Sequence, residues 1–227
     1  LISEIEKINV NDDIDGFIVQ LPLPKGINQE NILNKVLPKK DVDGFNPINY
    51  GKMALGIETF LPATPAGIIE LIKRYSIDLK GKKCLVIGRS QIVGRPISIL
   101  LSQNKIFGNA TVTVAHSRSN DLKEICLDSD IIISAIGIPE FIKEDMIKTG
   151  SIIIDVGICR VEDDNSLKGY RIVGDVDFDS VYDKVSLITP VPGGIGPMTI
   201  ACLLLNTLRA SHLQNGLPEP DLSSLFN

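Results

Sequence analysis

The chain has 227 residues, 44% of them hydrophobic, and a net charge of −5 with acidic and basic residues interleaved. That length and apolar content suit one large or two small globular domains with a full core. The charge balance excludes broad electrostatic attraction to nucleic acid or a membrane surface, and no apolar run reaches the ~18 residues that span a bilayer.

From the first residue, Leu1, Ile2, Ile5 and Ile8 follow helical periodicity without an N-cap ahead of them. A stable amphipathic helix rarely opens that way, so an upstream part of this element is expected to be missing. Gly16-Phe-Ile-Val-Gln-Leu21 reads as a buried strand stopped by Pro22 and Pro24. Asn28 is expected to cap a short helix through Leu37, followed by a polar loop over 39–47. Thr64-Pro65 opens a second helix through Tyr75, with the hydroxyl as cap and the proline pre-set for the first turn; this helix is expected to link two lobes.

From Lys82 strands and helices alternate, with strands predicted near 83–88, 110–115, 130–136, 151–156, 171–174 and 186–189. Runs such as Ile131-Ile-Ile and Ile152-Ile-Ile predict strands covered on both faces, as in a parallel sheet. The fold class is therefore α/β, a doubly wound parallel-sheet lobe (Rossmann-like) joined to a partial α/β substrate lobe. A last helix is predicted from Pro197, with an apolar run from Met198 to Leu208. The tail from Gln214 is expected to be extended and tacked to a surface by Leu217, Leu222, Leu225 and Phe226. Cys84, Cys126, Cys159 and Cys202 lie far apart without a Cys-x-x-Cys pair and read as reduced core residues of a cytoplasmic protein. With His116 and His212 the only histidines, no metal-ligand spacing exists, and no metal is expected.

The most informative stretch is Cys84-Leu-Val-Ile-Gly-Arg-Ser-Gln-Ile-Val-Gly94-Arg-Pro96, where an apolar strand breaks at a glycine and restarts as a helix. Gly88 can take backbone angles closed to residues with a Cβ, and the free N–H groups of a helix start attract an anion. The spacing departs from the usual dinucleotide fingerprint, and an ordinary strand-to-helix turn explains it too. The next strand, Ala110–Ala115, runs into His116-Ser117-Arg118-Ser119 with no carboxylate at its end. An acidic residue there favours NAD; Arg89, Ser117 and Arg118 instead offer donors suited to the extra phosphate of NADP. The alternative is a solvated polar turn, with Asp121 close by.

Three strings lie outside the cofactor pattern: Val19-Gln-Leu-Pro-Leu-Pro24, Lys40-Asp-Val-Asp-Gly44 and Thr189-Pro-Val-Pro-Gly-Gly-Ile-Gly-Pro-Met-Thr199. With Val86-Ile-Gly-Arg-Ser90 and Asp155-Val-Gly157 in order between them, the chain resembles the bifunctional methylenetetrahydrofolate dehydrogenase/cyclohydrolase family from about Gly16 to Leu208. The resemblance implies NADP-linked oxidation of 5,10-methylenetetrahydrofolate to the methenyl form, then hydrolysis to 10-formyltetrahydrofolate. It implies Gln20 and Asp43 as catalytic positions, Gln20 tuning a lysine and Asp43 accepting two donors from the pterin edge. Substrate contacts are implied at Asp41, Asp43, Pro192, Gly193 and Gly194, with Asp41 positioning the loop or binding less directly. Cofactor contacts are implied at Gly88, Arg89, Ser90, Gly94, Ser117, Arg118, Gly157 and Ile158. Cys159 stands where many relatives are expected to carry a polar amide. Read without the resemblance, Asp41 and Asp43 are turn caps in a solvated loop, Gln20 a strand-end residue and Pro192–Gly196 a rigid turn.

The family's Tyr-x-x-x-Lys pair has no counterpart here, since no tyrosine has a lysine four residues on; the resemblance places it upstream of Leu1, and hydrolysis is the activity expected to suffer most. Open alternatives are a monofunctional dehydrogenase on the same fold and a non-catalytic NADP- or folate-binding protein. The expected domains are 1–63, the end of the folate-binding catalytic domain; 64–192, the NADP-binding domain; and 193–227, a glycine-rich loop, a returning helix and the tail. Tetrahydrofolate derivatives are the expected partners, and a homodimer is carried over from the resemblance.

Overall fold

Residues 1–220 are described by the structure, a computed structural model. Contacts divide the chain into one unit of Leu1–Ala63 with the segment from Ile200 onward, and a second of Thr64–Thr199.

The second unit is built on a parallel sheet. Strands β1 (Lys83–Ile87), β2 (Thr111–Ala115), β3 (Ile131–Ser134) and β4 (Ile152–Asp155) are joined by the short strand Leu187–Ile188 in the order 2-1-3-4-edge, every pairing parallel. Successive side chains point to opposite faces, and the core divides accordingly. Cys84, Val86, Ile131, Ile133 and Ile154 pack on one face with Ile68, Ile72 and Ile97. Leu85, Ile87, Ile132 and Ile153 pack on the other with Cys126, Ile142, Ile147 and Val181. Both faces are covered, as the isoleucine runs predict. Helices α4 (Ala63–Arg74), α5 (Gly94–Ser102) and α6 (Leu122–Asp128) supply much of that cover.

Several predicted elements differ. The predicted strand at 171–174 is not part of the parallel sheet: Tyr170–Val173 (β6) pairs antiparallel with an unpredicted strand, Cys159–Glu162 (β5). Its half-exposed, alternating pattern suits a two-stranded ribbon rather than a sheet interior. Helix α4 opens at Ala63, so Thr64 is not its cap; the Thr64 hydroxyl accepts from Thr199 Oγ1 at 3.0 Å. Short helix α7 (Phe178–Val181) precedes the edge strand, β7. Helix α8 spans Ile195–Gln214, two residues earlier than predicted and through the start of the expected extended tail. Leu222, Leu225 and Phe226 lie outside the described residues.

In the first unit, α1 (Ile2–Asn9) buries Ile5 against Ile32 and Val36, with Phe17, Val19 and Leu23 alongside. The expected buried strand at 16–21 is not formed. Its single bridge joins Phe17 to Asp41, Ile18 and Gln20 are exposed, and the segment packs by one face only. Asn28 does cap α2 (Gln29–Leu33), accepting from Asn31 N at 2.9 Å. The helix stops four residues short because Lys35 and Val36 donate to carbonyls three residues back, a tightened last turn ahead of Pro38. The expected polar loop at 39–47 is instead a buried turn followed by an unpredicted helix, α3 (Pro47–Ala54), with Asn46 as cap and proline at its start. Lys40 is fully buried and donates to the carbonyls of Ile8 and Asn11, closing the end of α1.

The four cysteines are buried and none forms a disulfide, as expected of core thiols. No helix among the described residues is long and apolar enough to cross a membrane.

Candidate functional site

At the carboxyl edge of the parallel sheet, β1 ends at Gly88, whose φ of +116° is open only to glycine without strain. A Cβ on Gly94 would collide with the Gly88 carbonyl, so the α5 start lies directly against the strand end. Ser90 Oγ accepts from the N–H groups of Val93 and Gly94 at 3.2 and 3.3 Å, which leaves its own proton to donate outward. This is a cradle of backbone and hydroxyl donors for an anion.

Gly88 N–H donates to the Ala115 carbonyl at 2.8 Å, which sets the ends of β1 and β2 side by side. After β2 the chain closes a small turn: His116 N–H donates to Ser119 Oγ at 3.0 Å, and Arg118 N–H to His116 Nδ1 at 3.2 Å. Ser117 and Arg118 stand exposed on that turn, and Arg89 and Ser90 stand exposed on its neighbour. Among the described residues no carboxylate pairs with Arg89 or Arg118. Two unneutralised guanidiniums beside two hydroxyls suit a phosphate dianion. Sequence reading had left a strand-to-helix turn and a solvated turn as alternatives; the adjacency of the two turns could not be read from one dimension.

Gly157 and Ile158 follow β4, and Pro192, Gly193 and Gly194 follow β7, at the same edge of the sheet. Ile158 is 67% exposed, its side chain unsupported by the core. Beneath these segments lie two carboxylates that sequence reading did not single out as a pair. Asp155 and Asp175 are 3% and 0% exposed. Burial pushes Asp155 up to about 6; N–H bonds from Asp175, Val176 and Gly157 oppose the rise, and the charge of Asp175 adds to it. The available signal was a charged residue closing a β-branched run, directly in Ile152-Ile-Ile-Asp155 and after one glycine in Ile172-Val-Gly-Asp175.

In the first unit the motif Lys40–Gly44 forms one turn. Asp41 is 4% exposed, which excludes a solvated loop; its oxygens accept from Phe45 N, Asn46 N and Asn49 Nδ2 at 3.1, 2.8 and 2.8 Å. Burial raises its pKa and these bonds oppose the rise. Asp43 is half-buried, and among the described residues no protein group donates to it; burial first, then the charge of Asp41, pushes it up to about 6. The turn is held from α8 by buried Asn206, whose Nδ2 donates to the carbonyls of Val42 and Leu61 at 2.8 and 2.9 Å. Sequence reading missed Asn206, although a lone amide inside the apolar run Met198–Leu208 was a usable signal. The Phe17–Asp41 bridge is parallel, so the two segments run in the same direction from it, one to Gln20 and the other to Asp43. Gln20 donates through Nε2 to the Leu21 carbonyl at 3.0 Å, leaving Oε1 to accept.

No group of three or more His, Cys, Asp or Glu among the described residues is arranged to hold a metal.

Two family descriptions match the chain: tetrahydrofolate dehydrogenase/cyclohydrolase, NAD(P)-binding domain, over residues 62–215, and the catalytic domain of the same family over residues 1–43. The chain belongs to the tetrahydrofolate dehydrogenase/cyclohydrolase family. Within that family, bifunctional protein FolD of Flavobacterium johnsoniae is 57% identical over 215 residues, 95% of this chain and 73% of that protein. The bifunctional FolD methylenetetrahydrofolate dehydrogenase/cyclohydrolase of Campylobacter jejuni superposes with a TM-score of 0.85 at 46% identity, covering 94% of this chain and 72% of that one. The corresponding Trypanosoma brucei enzyme, solved with NADP and an inhibitor, has a TM-score of 0.85 at 38% identity over 91% of this chain and 70% of that one.

Proposed function

We propose that the chain serves one-carbon metabolism by NADP-linked oxidation of 5,10-methylenetetrahydrofolate to the methenyl form and hydrolysis of that product to 10-formyltetrahydrofolate. Membership of the family carries the reaction class. The observation that selects the cofactor is the pair of unneutralised arginines, Arg89 and Arg118, on adjacent turns with no carboxylate at the end of β2.

The residues fit a dinucleotide: a Cβ on Gly94 would meet the Gly88 carbonyl and one on Gly88 the Ala135 carbonyl, so only glycines allow the close backbone approach that sets the start of α5 against the strand end. When bound, NADP supplies the hydride acceptor. Arg89, Ser117 and Arg118 hold the ribose phosphate, Gly88, Ser90 and Gly94 receive the pyrophosphate, and Gly157 and Ile158 offer backbone contacts. Hydride transfer requires chiefly that two carbons be held in line and close, which is the task of segments fixed to a rigid sheet edge. Asp43, with no protein donor of its own, accepts two donors from the pterin edge; Asp41, fully engaged by its own turn, shapes that turn. Gln20 Oε1 accepts from a cationic group and biases its protonation. Pro192, Gly193 and Gly194 expose backbone to a flat ring. The same reading makes the protein cytoplasmic and a homodimer, to be checked by sedimentation.

The test follows NADPH and methenyl-folate formation optically with 5,10-methylenetetrahydrofolate and either NADP or NAD. Reduction of NADP in preference to NAD is expected. Preference for NAD, or no reduction of either by folded protein that binds both ligands, overturns the reading.

A further inference from the structure

We propose that Asp155 and Asp175 are a pair of positioning residues that fix the geometry of the segments facing the nicotinamide half of the cofactor, without touching it. The inference rests on the cofactor reading above and concerns residues to which that reading gives no role.

Asp175 collects three donors from the β3 end: Ser134 Oγ at 3.0 Å and Ile136 N at 2.8 Å on Oδ2, and Ile138 N at 3.0 Å on Oδ1. Asp155 collects three more: Gly157 N at 2.9 Å and Asp175 N at 3.0 Å on Oδ1, and Val176 N at 2.9 Å on Oδ2. The backbone N–H of Asp155 donates to Thr189 Oγ1 at 2.8 Å, at the head of the segment that leads to Gly193 and Gly194. The pair thus ties together the turns after β3, β4 and β7.

Glycines make the lock reciprocal. A Cβ on Gly157, two residues after Asp155, would collide with the Asp175 carboxylate; one on Gly174, just before Asp175, would collide with the Asp155 carboxylate. Each acid lies in space left by a glycine beside the other. A buried carboxylate loses hydration, and its full set of donors recovers that loss only while every segment stays in place. Turns that would be mobile are therefore held at one geometry.

Sheet order says which half of the ligand this serves. The phosphate-binding turns stand at the ends of β1 and β2, whereas the tied turns stand at β3, β4 and β7, on the other side of β1. Strands are about 4.8 Å apart, so a dinucleotide anchored at β1 and β2 lays its second half over β3 and β4.

The test titrates the 227-residue chain calorimetrically with NADP and with adenosine 2′,5′-bisphosphate, which contains only the phosphate-bearing half. Asp175→Asn keeps the shape but removes the charge and turns an NH2 group toward a backbone N–H. It should weaken NADP about ten- to a hundredfold while leaving the bisphosphate within about twofold. Ser134→Ala, which removes one bond to Asp175, and Thr189→Ala, which removes the two bonds of its hydroxyl to the Asp155 backbone, should show the same selective loss to a smaller degree, and they decide the matter if Asp175→Asn does not fold by circular dichroism. Equal weakening of both ligands in folded variants, or no weakening of NADP, overturns the positioning role and leaves the cofactor reading intact. Failure of the unaltered protein to bind either ligand overturns the cofactor reading and this inference with it.

Discussion

Asp41 and Asp43 stand two residues apart in one turn, yet the fold engages all of one carboxylate and none of the other. Asp41 accepts from Phe45, Asn46 and Asn49, whereas Asp43 is half-buried beside that charge with no protein donor. An acid held in this way is destabilised as an anion and is the natural acceptor for a ligand that brings its own donors.

The pH consequence has a definite sign. Asp43 rises from 3.8 to about 6, so the folded state holds its proton more tightly than the unfolded chain. The stability associated with that proton is fully present below about 3.8 and is lost as pH rises through about 6. Asp43→Asn should therefore stabilise the protein by about 1–2 kcal/mol near pH 7.5, after discount for solvent screening, and change little near pH 4. Urea melts at both pH values check this.

Folate affinity should move oppositely. If ionised Asp43 accepts the pterin donors, binding measured by fluorescence titration should weaken as pH falls below about 6, and Asp43→Asn should be weak at every pH. NADP affinity should be nearly unchanged by the substitution.

Arg89→Ala and Arg118→Ala should each weaken NADP by about 1–3 kcal/mol and NAD by much less, because the lost bond is to a phosphate that NAD lacks. Calorimetry with both cofactors reads the difference. Equal losses would mean that these side chains serve only the shape of their turns.

Gly94→Ala brings a Cβ against the Gly88 carbonyl, and Gly88→Ala adds a strained φ of +116° together with a clash at Ala135. Both should abolish measurable NADP binding, and the positive φ alone should make Gly88→Ala destabilise the second unit by about 1–3 kcal/mol. Thermal melts and NADP titration check the two effects separately.

Asn206→Leu removes both donors that hold Val42 and Leu61 and leaves two carbonyls unpaired. A loss of about 2–4 kcal/mol is expected. Leu204→Asn on the same helix, at a position 65% exposed, should stay within about 0.5 kcal/mol.

Periodicity and glycine chemistry alone determined the parallel sheet, its two-faced core and the Gly88 turn, because isoleucine runs and a strand ending in glycine record local backbone demands. The expectation of NADP came from Arg89, Ser117 and Arg118 and the lack of a carboxylate at a strand end, whereas the adjacency of their two turns came only from the fold. The uncommon strings around Gln20, Asp43 and Pro192 carried the family. Only the tertiary structure decided which polar residues are buried. Lys40, Asp41, Asn206, Asp155 and Asp175 are polar in sequence, and their burial depends on hydrogen-bond partners 2 to 164 residues away. The strand predicted at Gly16–Leu21 and the polar loop at 39–47 were misread for the same reason. A one-dimensional pattern records whether a side chain is apolar, whereas ladder partners and hydrogen-bond partners are set by what the rest of the chain brings alongside.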